Sequence, residues 1–172
     1  MASFEAESVA DIEAAALIDA SLEEVFDFLS DLRNHWRVTD RFVEVRSLGA
    51  SDGVRTDSGR VRVRGPFGLG RTATTRVVAS RPPRLMIGTA EIGPRTRARV
   101  SWTLAGRLGS TRVRLVAEIE DASPLDRLLL ALGGRWWLRR RFASTLDHLA
   151  REMGSRSRAA EPGGRAARRV GV

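Results

Sequence analysis

The side chains that could exchange protons with a substrate are few in this chain. Cys, Lys and Tyr are absent, which leaves two histidines, His35 and His148, and the carboxylates. An imidazole has an unperturbed pKa of about 6.5, so it can accept or release a proton near neutral pH. His35 precedes Trp36 and is either a candidate acid or base or an exposed loop residue, whereas His148 is expected to face solvent. Glu91 is the first carboxylate to consider.

The same inventory excludes several kinds of chemistry. Without Cys the chain has no disulfide, thiolate nucleophile or Cys-ligated metal, and without Lys it forms no Schiff base. The histidines are far apart in sequence and lack a metal-ligand spacing. The Gly-rich stretch GPFGLG lacks the Lys-Ser/Thr pair of a phosphate-binding loop, and no helix is predicted after it. We therefore expect neither a metal nor a cofactor.

Charge and composition narrow the partners. All 29 basic residues are Arg, and the net charge is +8. This excess comes without a recognised nucleic-acid-binding motif, so nucleic acid is not expected as a partner. The acidic N-terminus lacks the basic start of a signal peptide, and the longest apolar run is too short to cross a bilayer. These features predict a soluble cytoplasmic protein and leave its oligomeric state open.

The first predicted elements are a strand and two short helices. The strand occupies residues 9–18. Ser21 and Glu24 then fit a capping box, in which each side chain binds the backbone amide of the other residue. An apolar stripe at helical spacing follows in residues 22–29. Residues 31–36 are expected to form a second short helix or a turn.

A run of alternating apolar and polar residues, broken by Gly and Pro, predicts six further strands. The alternation is strict in the last two, so one face of each is covered and the other is wet, as in an antiparallel sheet. A register error of one residue would exchange the two faces. The six strands are predicted at residues 42–48, 60–64, 71–79, 85–92, 97–104 and 112–120.

A long amphipathic helix is predicted to close the domain. Ser123 and Pro124 suit its N-cap and first turn. Its apolar stripe continues through residues 123–153, a length of about 45 Å. The Gly133-Gly134 pair should weaken or bend this helix, and Gly154 should end it.

The length of the chain suits one domain with short extensions. We expect an N-terminal arm in residues 1–8 and a ligand-binding domain in residues 9–153. The remaining residues, 154–172, are rich in Gly, Ser, Ala and Arg, and this composition predicts a disordered tail.

Four stretches resemble the START-like (SRPBCC) superfamily in their order and spacing. IDASLEEVFDFLSDLRNHW resembles the opening of that domain, and SRPPRLM resembles the Pro-Pro turn between its middle strands. STRVRLVAEIE and LRRRFASTLDHLARE resemble the last strand and helix of the polyketide cyclase/dehydrase and lipid-transport branch. The resemblance covers residues 9–153.

The resemblance implies an α+β helix-grip fold. In it, a curved antiparallel sheet of about seven strands wraps around a long C-terminal helix, with two short helices after the first strand. A hydrophobic cavity lies between the sheet and the long helix. Members of the superfamily bind lipids, polyketides, plant hormones or quinones, and some catalyse cyclisation or dehydration. Catalytic residues differ between branches, so the fold alone assigns none.

Residues on the inward faces are the candidates for ligand binding. Small inward residues could leave room for a ligand or could equally allow close packing of the helix; these are Ala73, Gly88, Ala90, Ala98 and Ala117. Four aromatic residues are candidates for contact with a ligand but could equally be ordinary core residues. They are Trp36, Trp102, Trp136 and Phe142. Polar anchors for orientation are sought among Thr75, Thr89 and Glu91. The expected ligand-binding set is Trp36, Val63, Thr75, Ile87, Trp102, Leu115, Leu132 and Trp136.

Three functions remain open at this point. The first is a carrier that binds a hydrophobic small molecule such as a lipid or polyketide. The second is a polyketide cyclase, aromatase or dehydratase, with His35 or Glu91 as the acid or base in the cavity. The third is a factor that acts on a membrane or macromolecule through basic surfaces. A weak contact with an anionic membrane would suit the Trp and Arg side chains of residues 135–142.

The basic surface of this third function has a second component on the strands. Arg side chains alternate with apolar residues there and are expected to share one outer, solvated face. They are Arg60, Arg62, Arg64, Arg97, Arg99, Arg112 and Arg114.

Overall fold

The computed structural model describes residues 12–39, 42–49, 55–65 and 68–160. The predicted N-terminal arm and most of the predicted tail lie outside these residues. The chain order of elements is the predicted one: a strand, two short helices, six strands and a C-terminal helical segment. The strands are β1 (Ile12–Ile18), β2 (Val43–Gly49), β3 (Ser58–Arg64), β4 (Gly70–Arg81), β5 (Leu85–Ile92), β6 (Thr96–Arg107) and β7 (Ser110–Asp121). The helices are α1 (Leu22–Leu29), α2 (Leu32–Val38), α3 (Pro124–Leu129) and α4 (Arg135–Ala160), with a π-helical turn at Leu130–Gly134.

All seven strands form one antiparallel sheet in the order β1-β7-β6-β5-β4-β3-β2. Strands β2 to β7 pair with their neighbours in sequence, and β1 joins the sheet beside β7. Across its centre, Trp102 of β6 lies opposite Met86 on one side and Leu115 on the other. Because directly opposed residues share a face, these three side chains form one inward row. The predicted helix-grip fold is confirmed.

Local sequence explains where the first two helices begin. Ser21 Oγ accepts a hydrogen bond from the Glu24 amide at 3.3 Å, and the Glu24 carboxylate accepts one from the Ser21 amide at 3.0 Å. The predicted capping box is therefore confirmed. Asp31 caps α2 by accepting a hydrogen bond from the Arg33 amide at 3.0 Å. This start places His35 of α2 on the buried side of its helix.

The solid core occupies one end of the sheet. Leu146 and Leu149 of α4 are fully buried against β1, α1 and the adjoining strands. Along β6 the environment changes from core to cavity. Leu104 lies in the core, Trp102 borders both the core and the cavity, and Ala98 lines the cavity. The cavity therefore lies at one end of the sheet, and the packed core lies at the other.

The C-terminal helical segment is broken where the glycine pair predicts a bend. Gly133 has a φ of +106°, a backbone conformation that Gly adopts without the steric cost of a side chain. The backbone of Leu132 is also non-helical, and α4 starts in a new direction at Arg135. None of the helices in the described residues is long and apolar enough to cross a membrane.

The prediction that Gly154 ends the helix is wrong. Helix α4 continues to Ala160, so the first part of the predicted disordered tail is helical. A glycine in a helix costs about 1 kcal/mol relative to Ala, which neighbouring contacts can offset. Here Glu152 spans the glycine: its carboxylate accepts a hydrogen bond from Arg156 Nε at 3.1 Å, and its carbonyl accepts one from Ser155 Oγ at 2.7 Å.

Candidate ligand-binding site

A cavity of about 340 Å³ lies between the concave face of the sheet, α2 and the C-terminal helical segment. Its sheet wall consists mainly of inward-facing side chains of β3 to β7, with Ile12 of β1 and Val43 of β2 at the sides. The five small residues expected to leave room all lie on this wall. The larger apolar side chains of the same wall are Val61, Val63, Val77, Met86, Ile92, Val100, Trp102, Leu115 and Ile119.

The helical wall closes the cavity from the other side. Leu129 and Leu130 contribute from α3 and the π-helical turn, and Trp137 and Phe142 contribute from α4. The Trp137 ring packs edge-to-face against Phe42 with 5.8 Å between ring centroids. The cavity is therefore bounded by aromatic and aliphatic groups on both sides, as in sites that bind apolar small molecules.

Five of the expected ligand-binding residues lie on the cavity wall: Trp36, Val63, Thr75, Trp102 and Leu115. The polar anchor Thr75 lies on the cavity wall, and its hydroxyl donates a weak hydrogen bond of 3.4 Å to the Gly59 carbonyl. Thr89 borders the cavity but has the outward position of Ile87 and Glu91 in β5, opposite Arg99, so it is not placed as an anchor.

Two predictions on β5 need correction. Ile87 pairs with Ser101 and lies between the inward residues Met86 and Gly88, so it is not on the cavity wall. Glu91 lies on the outer face, exposed and ion-paired with Arg97 at 3.3 Å. An exposed carboxylate cannot be the in-cavity acid or base. Strand β5 has apolar residues at both alternating positions near its start, so its sequence did not fix which face turns inward.

Two predictions on the helical segment also need correction. Leu132 is 66% exposed and Trp136 is 62% exposed, and neither lines the cavity. The prediction extended one 3.6-residue stripe through the glycine pair. The positive φ of Gly133 ends that stripe and turns Trp137, instead of Trp136, toward the cavity.

His35 is buried on the cavity wall, so the prediction of an exposed loop histidine is wrong. Its Nε2 lies 2.6 Å from the Leu29 carbonyl oxygen, and its ring meets Trp102 edge-to-face at 5.2 Å between centroids. Burial lowers the pKa of His35 below 6.5, although the Leu29 carbonyl and the charge of Asp31 oppose this shift. A carbonyl only accepts, so Nε2 carries the proton, and Nδ1 of the neutral ring is a proton acceptor.

Unlike Nε2 of His35, the ring nitrogens of two other residues are buried without a hydrogen-bond partner among the described residues. One is Nδ1 of His148, which is half-buried instead of solvent-facing as predicted. The other is the indole N–H of Trp36, which belongs to a residue of the cavity wall. A buried donor without a partner is costly, and a ligand that accepts its hydrogen bond would relieve that cost.

The sequence analysis missed a polar cluster at the α3 end of the cavity. Arg71 and Asp126 both lie on the wall, and Arg71 Nη1 approaches the two carboxylate oxygens at 2.6 and 2.7 Å. The Asp126 carboxylate also accepts hydrogen bonds from the Thr96 hydroxyl and, at 2.7 Å, from the Ser123 hydroxyl. Arg71 shares the inward parity of Ala73 and was recognisable as a charged residue at an inward position.

The pKa of the Asp126 carboxyl is lowered in this cluster. Burial alone would raise the pKa, but the hydrogen bonds from Thr96 and Ser123 and the charge of Arg71 together outweigh burial. Asp126 is therefore ionised at neutral pH, and the Arg71–Asp126 pair carries no net charge. The pair ties α3 to strand β4, because the two residues lie on those elements.

The fold and the apolar cavity together define a START-like protein. The chain belongs to the polyketide cyclase/dehydrase and lipid transport family, whose model matches residues 9–154. No curated protein matches the chain by sequence. The family membership confirms the resemblance found in the sequence.

Solved structures show the same fold at low sequence identity. A protein of Thermus thermophilus is 20% identical, with a TM-score of 0.71 and coverage of 86% of this chain and 99% of its own. An aromatase/cyclase of a Streptomyces species is 19% identical, with a TM-score of 0.68 and coverage of 88% and 98%. A START superfamily protein of Mycobacterium smegmatis is 15% identical, with a TM-score of 0.60 and coverage of 87% and 99%.

Proposed function

We propose that this protein binds a hydrophobic small molecule in the cavity between the sheet and the C-terminal helices. The observation that carries the proposal is the space itself: about 340 Å³ with a largely apolar wall. A ligand that buries about 300 Å² of apolar surface would gain ~7 kcal/mol before the costs of association. The family description and the aromatase/cyclase relative favour a lipid or a polyketide-type molecule.

A filling substitution tests this proposal. Ala98 lies on the inward face of β6, and Ala105 lies exposed on the outward face of the same strand. We expect Ala98→Phe to weaken binding of the neutral fluorescent dye N-phenyl-1-naphthylamine by about tenfold or more, while Ala105→Phe leaves binding unchanged. Equal binding by the two variants would show that the dye, and by extension the ligand, does not use the cavity.

An exposed apolar stripe supports a proposed route by which the ligand arrives. It consists of four side chains on the outer surface of α3, the π-helical turn and the first turn of α4, each more than half exposed: Leu125, Leu128, Leu132 and Trp136. The stretch between Asp126 and Asp147 contains five Arg and no acidic residue. Apolar side chains flanked by cations suit the surface of an anionic membrane. The protein would thus take up or deliver its ligand with this segment on the membrane.

The strands offer a weaker surface for such a contact. The Arg side chains predicted on their outer face are exposed, but Arg97, Arg99 and Arg114 form ion pairs with Glu91, Glu120 and Glu13. These partners reduce the net positive charge of that face. The helical segment is therefore the favoured membrane surface.

His35 favours a second candidate function, catalysis of proton transfer. Its neutral ring lies on the cavity wall with Nε2 engaged and Nδ1 able to accept a proton. A bound molecule with an acidic C–H next to a carbonyl would transfer that proton to Nδ1, as an enolising step requires. The test is deuterium exchange into a long-chain 1,3-diketone: wild type should accelerate it and His35→Gln should not. No acceleration by wild type would leave the protein a carrier.

A further inference from the structure

Arg71 places unused hydrogen-bond donors on the cavity wall. A guanidinium carries five N–H groups, and Nη1 supplies the contacts to both oxygens of Asp126. Neither Nε nor Nη2 donates a hydrogen bond to any of the described residues. The side chain lies on the cavity wall and is 30% exposed.

The cluster around Asp126 holds the guanidinium in place. Thr96 and Ser123 donate to the carboxylate, and the Asp126 amide donates to Ser123 Oγ at 3.2 Å. The Ser123 amide in turn donates to Thr96 Oγ1 at 3.1 Å. The Asp126 side chain is only 13% exposed. Such preorganised donors bind a ligand without the entropic cost of ordering a loose side chain.

We infer that Arg71 selects ligands that carry an uncharged acceptor oxygen, such as a ketone, ester or hydroxyl, on an otherwise apolar body. Asp126 is a positioning residue: it fixes the guanidinium and neutralises its charge. The inference rests on the proposed function and names the ligand chemistry of the same cavity. It agrees with the buried indole N–H of Trp36, a second donor on the wall that lacks a partner among the described residues.

The charge balance explains why the acceptor should be uncharged. A carboxylate bound at Nε and Nη2 would be attracted by the guanidinium and repelled by the nearby Asp126 carboxylate. The more distant Asp126 carboxylate offsets part of the attraction. The remaining attraction must still compensate for the hydration that the anion loses in an apolar cavity. A ketone pays much less for desolvation and keeps the hydrogen bond. An amine finds no benefit, because Asp126 is already saturated with donors.

The experiment compares three probes of equal chain length: 2-dodecanone, dodecane and dodecanoate. The affinity of each probe is measured by its displacement of N-phenyl-1-naphthylamine from the full chain. For each probe, the affinity for a variant is divided by the affinity for wild type, so that differences in water solubility between the probes cancel. We expect Arg71→Met to weaken 2-dodecanone binding by about tenfold and to change dodecane binding by less than about twofold. If Arg71→Met does not fold, Arg71→Lys is used, because it keeps the ion pair and lacks the planar set of donors.

Asp126→Asn separates selection by charge from a structural role. Without the counter-charge, Arg71 should attract an anion, so dodecanoate binding should strengthen by about tenfold relative to dodecane. A purely structural role would weaken all three probes together, and that result would overturn the inference. Circular dichroism verifies that each variant is folded.

The two proposals fail in different ways. If none of the three probes displaces the dye from wild type, the proposed function itself fails. If they bind wild type but the preference for 2-dodecanone is the same in the Arg71 variants, only the role of Arg71 is overturned.

Discussion

The imidazole of His35 lies with Nε2 2.6 Å from the carbonyl oxygen of Leu29, the last residue of α1. This hydrogen bond joins the two short helices and holds the ring against Trp102. It also decides which nitrogen can accept a proton, because Nε2 must be the donor and Nδ1 then keeps its lone pair. One contact therefore links the packing of α1 and α2 to the chemistry of the cavity.

The buried state of His35 predicts a loss of stability in mild acid. Its pKa is lowered in the folded protein, whereas in the unfolded chain it is about 6.5. Below that pH the unfolded chain binds a proton that the folded chain does not, so the free energy of unfolding decreases until the folded-state pKa is reached. We expect urea unfolding between about pH 7 and pH 5 to show this decrease, and His35→Gln to flatten it.

A control must separate this effect from general destabilisation. Thr111 is fully buried, and its hydroxyl donates to the Ala20 carbonyl at 2.9 Å. Thr111→Val should cost about 1–2 kcal/mol without removing a titratable group. Its pH dependence should therefore match that of wild type. A His35→Gln slope as steep as the wild-type slope would mean that His35 does not cause the acid sensitivity.

Adjacent tryptophans with opposite environments provide the second prediction. Trp137 lines the cavity, while Trp136 is exposed beneath the Arg140 guanidinium, 4.8 Å from the ring centroid. We expect Trp137→Ala to weaken dye binding by about tenfold, because the cavity loses an aromatic wall. Trp136→Ala is the matched control and should bind the dye like wild type. Equal losses in both variants would contradict this assignment of the helix faces.

Much of the fold was predictable because its signals are local. The capping box at Ser21 and the strict alternation in β6 and β7 depend on residues a few positions apart. The inward positions of Ala98, Trp102 and Leu115 follow from that alternation. Where the local signal was mixed, as at Ile87 in β5, the prediction chose the wrong face.

The rest of the site depends on contacts that no local pattern contains. Arg71 and Asp126 are 55 residues apart in sequence, and their pairing arises only when α3 folds over β4. The direction of α4 depends on the positive φ of Gly133, which moves the cavity-facing position from Trp136 to Trp137. The 3.6-residue spacing of apolar residues in the sequence therefore does not predict which residues face the cavity beyond this break.

The third prediction concerns the exposed stripe of the helical segment. Leu128 and Leu132 are 54% and 66% exposed beside an Arg-rich stretch. We expect the double variant Leu128→Glu/Leu132→Glu to bind vesicles of phosphatidylglycerol at least about tenfold more weakly than wild type. Co-sedimentation measures the binding, which should also weaken with added salt and be low on phosphatidylcholine.

Leu108 provides the control for this prediction. It is fully exposed in the turn between β6 and β7, away from the helical segment. Leu108→Glu adds one negative charge at an exposed Leu, half of what the double variant adds, and should leave vesicle binding close to the wild-type value. A loss in Leu108→Glu in proportion to its added charge would show that overall charge, and not the stripe, governs the membrane contact.

The last prediction compares two glycines of the C-terminal helical segment. Apart from the adjacent residues and the nearby helix backbone, no described atom lies within 4 Å of a Cβ added at either Gly133 or Gly154, so neither substitution meets a tertiary steric obstacle. The backbone decides the outcome instead. Gly133 has a φ of +106°, and forcing Ala into that conformation should cost about 1–3 kcal/mol.

Gly154 lies within helix α4, where Ala has the higher helix propensity. Gly154→Ala should therefore raise the free energy of unfolding by about 0.5–1 kcal/mol. Urea unfolding measures both effects, and dye binding adds a second readout. If Gly133→Ala relieves its strain by straightening the break, Trp137 turns away from the cavity and dye affinity falls with stability. Stabilisation by both substitutions would contradict the sharp break at Gly133. It would mean that Gly133, like Gly154, has a helical backbone in which Ala has the higher helix propensity.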